Sequence, residues 1–426
     1  MKLWNELGKE IINGVYDEQF KRAYVDDAVV KYNKNRYLKA LEAFKDLFGG
    51  EAVEIYSAPG RSEVCGNHTD HQNGHVLATS INLDAIAVVA PTDDMTIRLV
   101  SGYAPMIKID LSVLDKHKDE TGTTEALIRG VAAGLKKEGY EIGGFDAYVT
   151  SDVLVGAGMS SSAAFESLIG TVISGLYNDM KISSVDIAKV GQYAENVYFG
   201  KPCGLMDQMA CSVGGLIYID FENKEVPVIK CVPSDFEKHE YSLCIVDTKG
   251  SHADLTDDYA AIPLEMKAVA EYFGKSLLRE VNEDEFYANI APLREKVSDR
   301  AVLRAMHFYS EQHRVSQAVE ELESDDFDGF LNTIQRSGDS SNKLLQNIYS
   351  AKDVAVQNVN IALAASEYVL GENGVCRVHG GGFAGTIQAF VRNKAVADYK
   401  KYIETIFGED SCHVLKVRPC GGIKMC

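Results

Sequence analysis

Paired cysteines at metal or redox spacing are missing from this chain. Its nine cysteines (Cys65, Cys203, Cys211, Cys231, Cys244, Cys376, Cys412, Cys420, Cys426) are scattered, odd in number and without a Cys-x-x-Cys pair. That argues against a disulfide framework or a cysteine zinc site and fits reduced thiols in a cytoplasm. No apolar run is long enough to span a bilayer. The opening Met1-Lys-Leu-Trp-Asn-Glu is charged and has no long apolar core, so a signal peptide is not expected. Basic residues are scarce as well. Lys and Arg number 43 against 62 Asp and Glu, a net charge of −19, which argues against nucleic acid or an anionic membrane as the main partner. Any chemistry on phosphates must come from local groups set against that field. Internal repeats, low-complexity tracts and flexible linkers are absent too.

What is present is ordinary for a globular protein: 46% hydrophobic and 25% charged residues over 426 positions, enough for two domains. Residues 1 to 48 are polar and helix-like, with Tyr37, Leu38, Leu41, Phe44 and Leu47 forming a stripe. Short β-rich runs follow at 85–90, 96–100 and 106–110, then a helix over 125–137 and a strand over 145–150. The pattern predicts a helix over 183–199 ending at Gly200, strands at 215–219 and 242–246, a helical and acidic stretch over 260–370, and strands at 386–391 and 413–417. Runs of strands and helices without regular alternation read as an α+β fold.

Four segments concentrate polar or conformationally special residues. Residues 152–166 carry Gly156-Ala-Gly158-Met-Ser160-Ser161-Ser162 between an apolar run and an apolar helix. Glycines permit close backbone approach, and a helix starting at the serines would add its positive end, so the segment suits phosphate oxygens. The hydroxyls add donors, or a ligand for a phosphate-bound Mg²⁺. A glycine turn with a serine N-cap explains the same residues. No Gly-Lys-Ser/Thr follows, so this is not the usual P-loop. Residues 58–74 bring Arg61, Asn67, His68, Thr69, Asp70 and His71 between glycines, a polar loop able to bind a polyhydroxylated ligand or simply a solvated turn. His68 and His71 lack a third metal ligand at matching spacing. In Gly200-Lys-Pro-Cys203-Gly204-Leu-Met-Asp207-Gln208, a bent entry into an apolar stretch favours a partly buried carboxylate, either a general base or a dipole-stabilising residue. Glu195, just upstream, reads as a surface residue or a Mg²⁺ ligand. Gly380-Gly381-Gly382 precede a strand, which implies close backbone approach or a tight turn.

In this order, the four segments resemble the galactokinase branch of the GHMP small-molecule kinases, over about residues 40–426. The resemblance also includes Phe44-Lys-Asp-Leu-Phe48-Gly49 and the Ala58-Pro-Gly-Arg61 opening. It implies a two-domain GHMP kinase fold with the site in the cleft between domains. The expected division is a helical extension over 1–48, an N-terminal kinase domain over 49–230 and a C-terminal one over 231–426. It implies ATP- and Mg²⁺-dependent phosphorylation of a sugar's anomeric hydroxyl, galactose first, in a cytoplasmic enzyme whose partners are sugar and ATP. Asp207 falls where the family places the carboxylate that receives the hydroxyl proton, and Arg61 where an arginine lies near it and the transferring phosphoryl group. Asn67, His68, Asp70, Gly204 and Tyr259 fall at sugar-side positions. Gly156, Gly158, Ser160, Ser161 and Ser162 fall where the family has its phosphate loop, and Ser162 and Glu195 match the Mg²⁺ side.

The departures matter. The family's Gly-Glu-His-Thr-Asp-Tyr is Gly66-Asn67-His68-Thr69-Asp70-His71 here, and its Val-Asn-Leu-Ile run is Ser62-Glu63-Val64-Cys65. The family's glutamate contacts the sugar's C6 hydroxyl, so Asn67 is expected to set C6 selectivity and to open the range toward galacturonate or arabinose. Gly380 to Gly382 match the family's third motif, in which Ala384 replaces a glycine. A non-catalytic sugar- and ATP-binding regulator is the reading from another class, and the intact Ser162-Ala163-Ala164 with Asp207 and Arg61 weighs against it.

Overall fold

The computed structural model describes residues 1–49, 52–154, 158–233, 235–250 and 255–426. After a two-residue strand β1 (Lys2–Leu3), the chain opens with helices α1 (Trp4–Ile12), α2 (Asp17–Tyr24) and α3 (Asp27–Phe48). Asp26 starts α3 by accepting from the N–H groups of Ala28 and Val29 at 2.8 and 3.1 Å. Two long strands follow, β2 (Ala52–Cys65) and β3 (His75–Pro91), antiparallel neighbours with register shifts at Pro59/Arg61 and Glu63/Cys65. Both are buried along nearly their whole length because both faces are covered. Val53, Ile55, Ile86 and Val88 pack against Leu7, Ile11, Phe20, Tyr37 and Phe44 of the opening helices. Tyr56, Ala58, Ala85, Ala87 and Val89 face the other way, onto α4 (Thr124–Lys137), α5 (Ser161–Asn178) and α6 (Ser184–Tyr193). The two-residue period of a strand divides these positions.

Strands β4 (Thr96–Ser101), β5 (Ile107–Asp110) and β6 (Phe145–Ser151) extend the sheet in the order β1-β2-β3-β6-β4-β5. The first part of β3 pairs instead with β7 (Leu216–Asp220), which carries β8 (Val228–Val232). Helix α7 (Met206–Val213) lies just before β7. A second, antiparallel sheet combines β9 (Tyr241–Asp247), β10 (Gly374–Val378), β11 (Thr386–Arg392) and β12 (Cys412–Leu415) in the order β10-β11-β9-β12. The helices with it are α8 (Thr256–Tyr272), α9 (Glu283–Ala288), α10 (Ile290–Lys296), α11 (Asp299–Glu323), α12 (Phe327–Ser340), α13 (Asn358–Leu370) and α14 (Val396–Phe407). One apolar cluster joins the two sheets, with Val64, Leu77 and Ile81 of the first against Leu243, Ile245 and Phe390 of the second, and Val315 and Phe330 between them.

Three features differ from the pattern read in the sequence. Residues 58–65 are strand, not loop: Pro59 and Gly60 sit where β2 slips register against β3, so only Gly66–Gly74 is loop. The helix expected over 183–199 changes at Ala194 into a π turn, Ala194–Phe199. The chain also returns to the first sheet after β12. Strand β13 (Ile423–Lys424) pairs with β2, and Val417 bridges Ile81.

Candidate active site

Arg61 leaves the register shift of β2 as a buried side chain and forks onto Asp207. Its Nε donates to Asp207 Oδ1 at 2.6 Å and its Nη2 to Oδ2 at 2.7 Å. Such a planar two-bond pair is specific to arginine. The remaining Nη1 donates to the carbonyl of Gly158, and the Arg61 backbone N–H donates to Met159 O at 3.2 Å. The Ser160 hydroxyl donates to Asp207 as well. Burial alone would raise the Asp207 carboxyl, but the Arg61 charge and these bonds hold it below the usual aspartate value. Asp207 keeps 30% of its side chain exposed, so a substrate hydroxyl can reach it.

Ser160, at the start of α5, has φ of 54° and no side-chain cap bond, so it is not an ordinary N-cap. Ser161 and Ser162 occupy the first turn of the same helix. Ser162 Oγ donates to Glu195 Oε1 at 3.2 Å. The π turn presents Glu195, which is 2% exposed and also accepts from Lys201 Nζ at 3.1 Å and Gln208 Nε2 at 2.8 Å. Gln208 Nε2 reaches Glu166 Oε2 too, at 3.0 Å, tying α5 and the π turn to α7 one residue beyond Asp207. A hydroxyl and a carboxylate are hard oxygen donors of the kind Mg²⁺ takes alongside nucleotide phosphates. Gly158 and Ser160 thus touch the Arg61–Asp207 pair directly, Ser161 and Ser162 follow in the first turn of α5, and Gly156 lies outside the described residues.

At the Gly66–Gly74 loop, Asp70 and Gly204 meet. A Cβ at Gly204 would overlap Asp70 Oδ2, so glycine there lets the Asp70 carboxylate lie against the 200–208 segment in its present position. Three side chains bind three successive carbonyls of the glycine turn. Asn67 Nδ2 donates to Gly380 O at 2.7 Å, His68 Nε2 lies 3.0 Å from Gly381 O, and Tyr259 OH donates to Gly382 O at 2.9 Å. Burial and the neighbouring His71 lower His68 to about 4, so it is neutral at physiological pH, with Nε2–H donating to the carbonyl.

Asn67 departs from its expected role. Its carboxamide has no exposed surface, and besides Gly380 its Nδ2 faces Glu63 Oε1 and Oε2 at 3.0 and 3.1 Å. Its Oδ1 accepts from Asn347 Nδ2 at 2.8 Å, and His307 Nε2 donates to its backbone carbonyl at 2.9 Å. With both ends of the amide engaged, it has no group to offer a C6 substituent. Glu63 in turn pairs with Arg377 Nη2 at 2.9 Å, and Arg377 Nη1 reaches Val64 O at 2.6 Å. Sequence reasoning gave Glu63, Arg377, Lys201 and Gln208 no role. The inverted order of acid and amide at 63 and 67 was the available signal.

The model of the galactokinase galactose-binding signature matches residues 42–91, and that of the GHMP kinase N-terminal domain matches 126–215. The galactokinase of Glaesserella parasuis serovar 5 is 31% identical over 370 residues, 84% of this chain and 91% of its own length. The chain belongs to the galactokinase family. A Streptomyces coelicolor galactokinase is 29% identical over 391 residues, 90% of this chain and 97% of its own. Among solved structures, Lactococcus lactis galactokinase complexed with galactose superposes with a TM-score of 0.78 at 24% identity, covering 91% of this chain and 99% of that one. A mevalonate kinase shares the fold at a TM-score of 0.59 and 16% identity, covering 85% and 99%. The α+β GHMP kinase fold read from the motifs is thereby established, and as a galactokinase-family member the chain is a sugar kinase that uses ATP. Among the described residues, no helix is long and apolar enough to cross a membrane.

Proposed function

We propose that this chain transfers the γ-phosphoryl group of ATP to the anomeric hydroxyl of galactose, giving galactose 1-phosphate. The single observation that carries the reading is the forked Arg61–Asp207 pair, tied to Gly158 and Ser160 on one side, with Gly204, shortly before Asp207 in the chain, lying against Asp70 on the other. Phosphoryl transfer needs positioning and charge neutralisation more than covalent chemistry. Asp207, held ionised by Arg61, aligns the sugar hydroxyl and takes its proton as the oxygen bonds to phosphorus. Arg61 also faces the charge that develops on the transferring group. Neutral His68, Asp70 and Tyr259 line the sugar side, and Gly158 with Ser160 to Ser162 lines the phosphate side. Ser162 and Glu195 would hold Mg²⁺, which when bound neutralises the nucleotide's phosphate charge. The nine free thiols favour a reducing, cytoplasmic setting.

The reading assigns 49–230 and 231–426 to the two kinase domains and 1–48 to a helical extension. The test is ATP consumption by the purified chain against galactose, arabinose, galacturonate, galactosamine and glucose, with the phosphorylated position read by phosphorus NMR. Galactose-dependent turnover giving the 1-phosphate is expected. Turnover with none of these sugars, or a clear preference for another, would overturn the assignment.

A further inference from the structure

We infer that the N-terminal helices position the nucleotide loop, and that Arg36 is the positioning residue through which they do so. The inference rests on the assignment of the 152–162 segment to ATP. Helix α3 lies largely ahead of the galactose-binding signature, and Arg36 projects from it into the first sheet, 8% exposed. Its Nη1 donates to Asp84 Oδ1 at 2.6 Å and to Asn33 Oδ1 at 3.1 Å. Its Nη2 donates to the carbonyls of Asp84 and Thr150, both at 2.9 Å. Nη1 also pairs with Asp152 Oδ2 at 3.2 Å, and the Asp152 backbone N–H donates to Asp84 O at 2.9 Å. One guanidinium therefore fixes the last residues of β6, where the chain turns toward the phosphate loop. The start of that segment is held by Arg36 and its end, at Gly158 and Met159, by Arg61.

Charge balance explains why Asp152 belongs to the arrangement. Asp84 is fully buried between Arg36 and Arg418, whose Nη1 lies 3.1 Å from its Oδ2. Two guanidinium groups against one carboxylate would leave a buried positive charge, and Asp152 supplies the second negative one. Docking of the helices does not need this polar contact. Leu7, Ile11, Phe20, Tyr37 and Phe44 already seat them on Ile55, Ile86 and Val88. Removing the guanidinium should therefore leave the extension in place and release the stretch from Thr150 to Asp152.

The experiment compares Arg36→Gln, Asp152→Asn and Arg36→Lys with the parent, as full chains, by steady-state kinetics in both substrates and by calorimetric binding of a non-hydrolysable ATP analogue. Arg36→Gln should raise the KM for ATP and weaken analogue binding by about five- to tenfold, the size of one ordinary hydrogen bond lost through an indirect contact, while the KM for galactose stays within about twofold. Asp152→Asn should do the same with a smaller effect on thermal unfolding, and Arg36→Lys should recover part of the loss. Equal changes in both KM values, or a lower unfolding temperature with unchanged analogue affinity in Arg36→Gln and Asp152→Asn, would overturn the inference. Absence of analogue binding by the parent would instead overturn the assignment of ATP to this loop.

Discussion

Replacing Asn67 by aspartate separates a buried structural amide from a sugar contact more sharply than any other single change. The substitution keeps shape and Oδ1, which still accepts from Asn347. It turns the donor that faces Glu63 at 3.0 and 3.1 Å and Gly380 O at 2.7 Å into an acceptor. One bond to a charged acceptor, worth about 1.5–3 kcal/mol, and one to a carbonyl, worth about 0.5–1.5 kcal/mol, are lost, together about 2–4.5 kcal/mol. Repulsion between the two carboxylates adds to this until a proton is taken up. Burial already raises Glu63 above the usual glutamate value, even with Arg377 beside it. The new pair should share a proton, its folded pKa lying above the unfolded one. The deficit against the parent is then widest at neutral pH and closes as pH falls toward about 4, where the unfolded carboxylates also protonate. Urea unfolding at several pH values measures this, and kinetics with galactose, arabinose and galacturonate measures selectivity. Adding Glu63→Gln should restore part of the stability by returning an amide donor to the pair. Stability within about 0.5 kcal/mol of the parent, combined with a changed galactose-to-galacturonate ratio, would refute the reasoning and return Asn67 to the sugar.

Asp207→Asn, nearly isosteric, should lower kcat by on the order of 10²–10⁴ with the fold intact; near-parental turnover would remove Asp207 as the base. Gly204→Ala should displace Asp70, raising the KM for sugar well before that for ATP, and unchanged sugar kinetics would show that the approach is not needed. Ser162→Ala with Glu195→Gln should raise the Mg²⁺ concentration for half-maximal rate, and a titration that overlays the parent's would make both residues structural. The Arg61–Asp207 pair depresses the aspartate, so its stabilisation is complete above about pH 3.9 and lost as pH falls through the lower folded value. In Arg61→Gln burial is no longer offset and raises the same carboxyl, so the stability gap to the parent should be widest near neutral pH and close as pH falls toward and below about 3.9, and a gap unchanged down to about pH 3 contradicts the assignment.

The motifs were legible as an ordered set resembling the galactokinase branch, since each alone also reads as an ordinary turn, cap or loop, and the structure gathers Arg61, Gly158, Ser160 and Asp207 within hydrogen-bond reach. Strand β6 was legible from its alternation. The start of the 58–74 segment was misread because Pro59, Gly60 and Arg61 have the composition of a turn. Their place in β2 depends on pairing with β3, which local propensity does not contain. The π turn at Ala194 was hidden for a similar reason, since a helix carrying one extra residue keeps the same apolar spacing on either side. Asn67 was misplaced because its environment is assembled from Glu63, Asn347, His307 and Gly380, spread over more than 300 positions.

The return of the chain to its first sheet bears on how the protein is made. Arg418 reaches Ser57 and Asp84 across sequence separations of 361 and 334 residues, and β13 closes on β2 over a similar span. At a synthesis rate of about 5–20 residues per second, β2 waits on the order of tens of seconds for these partners. Until they arrive, Asp84 lacks one of its two arginines and the edge of β2 beside Tyr56 and Ser57 is open. The half of the molecule synthesised first is thus the last to be completed, and contacts of such long range slow the final step. Removal of the stretch from Val417 onward would strike the first sheet, which holds β2, not the second, whose β12 it follows in sequence.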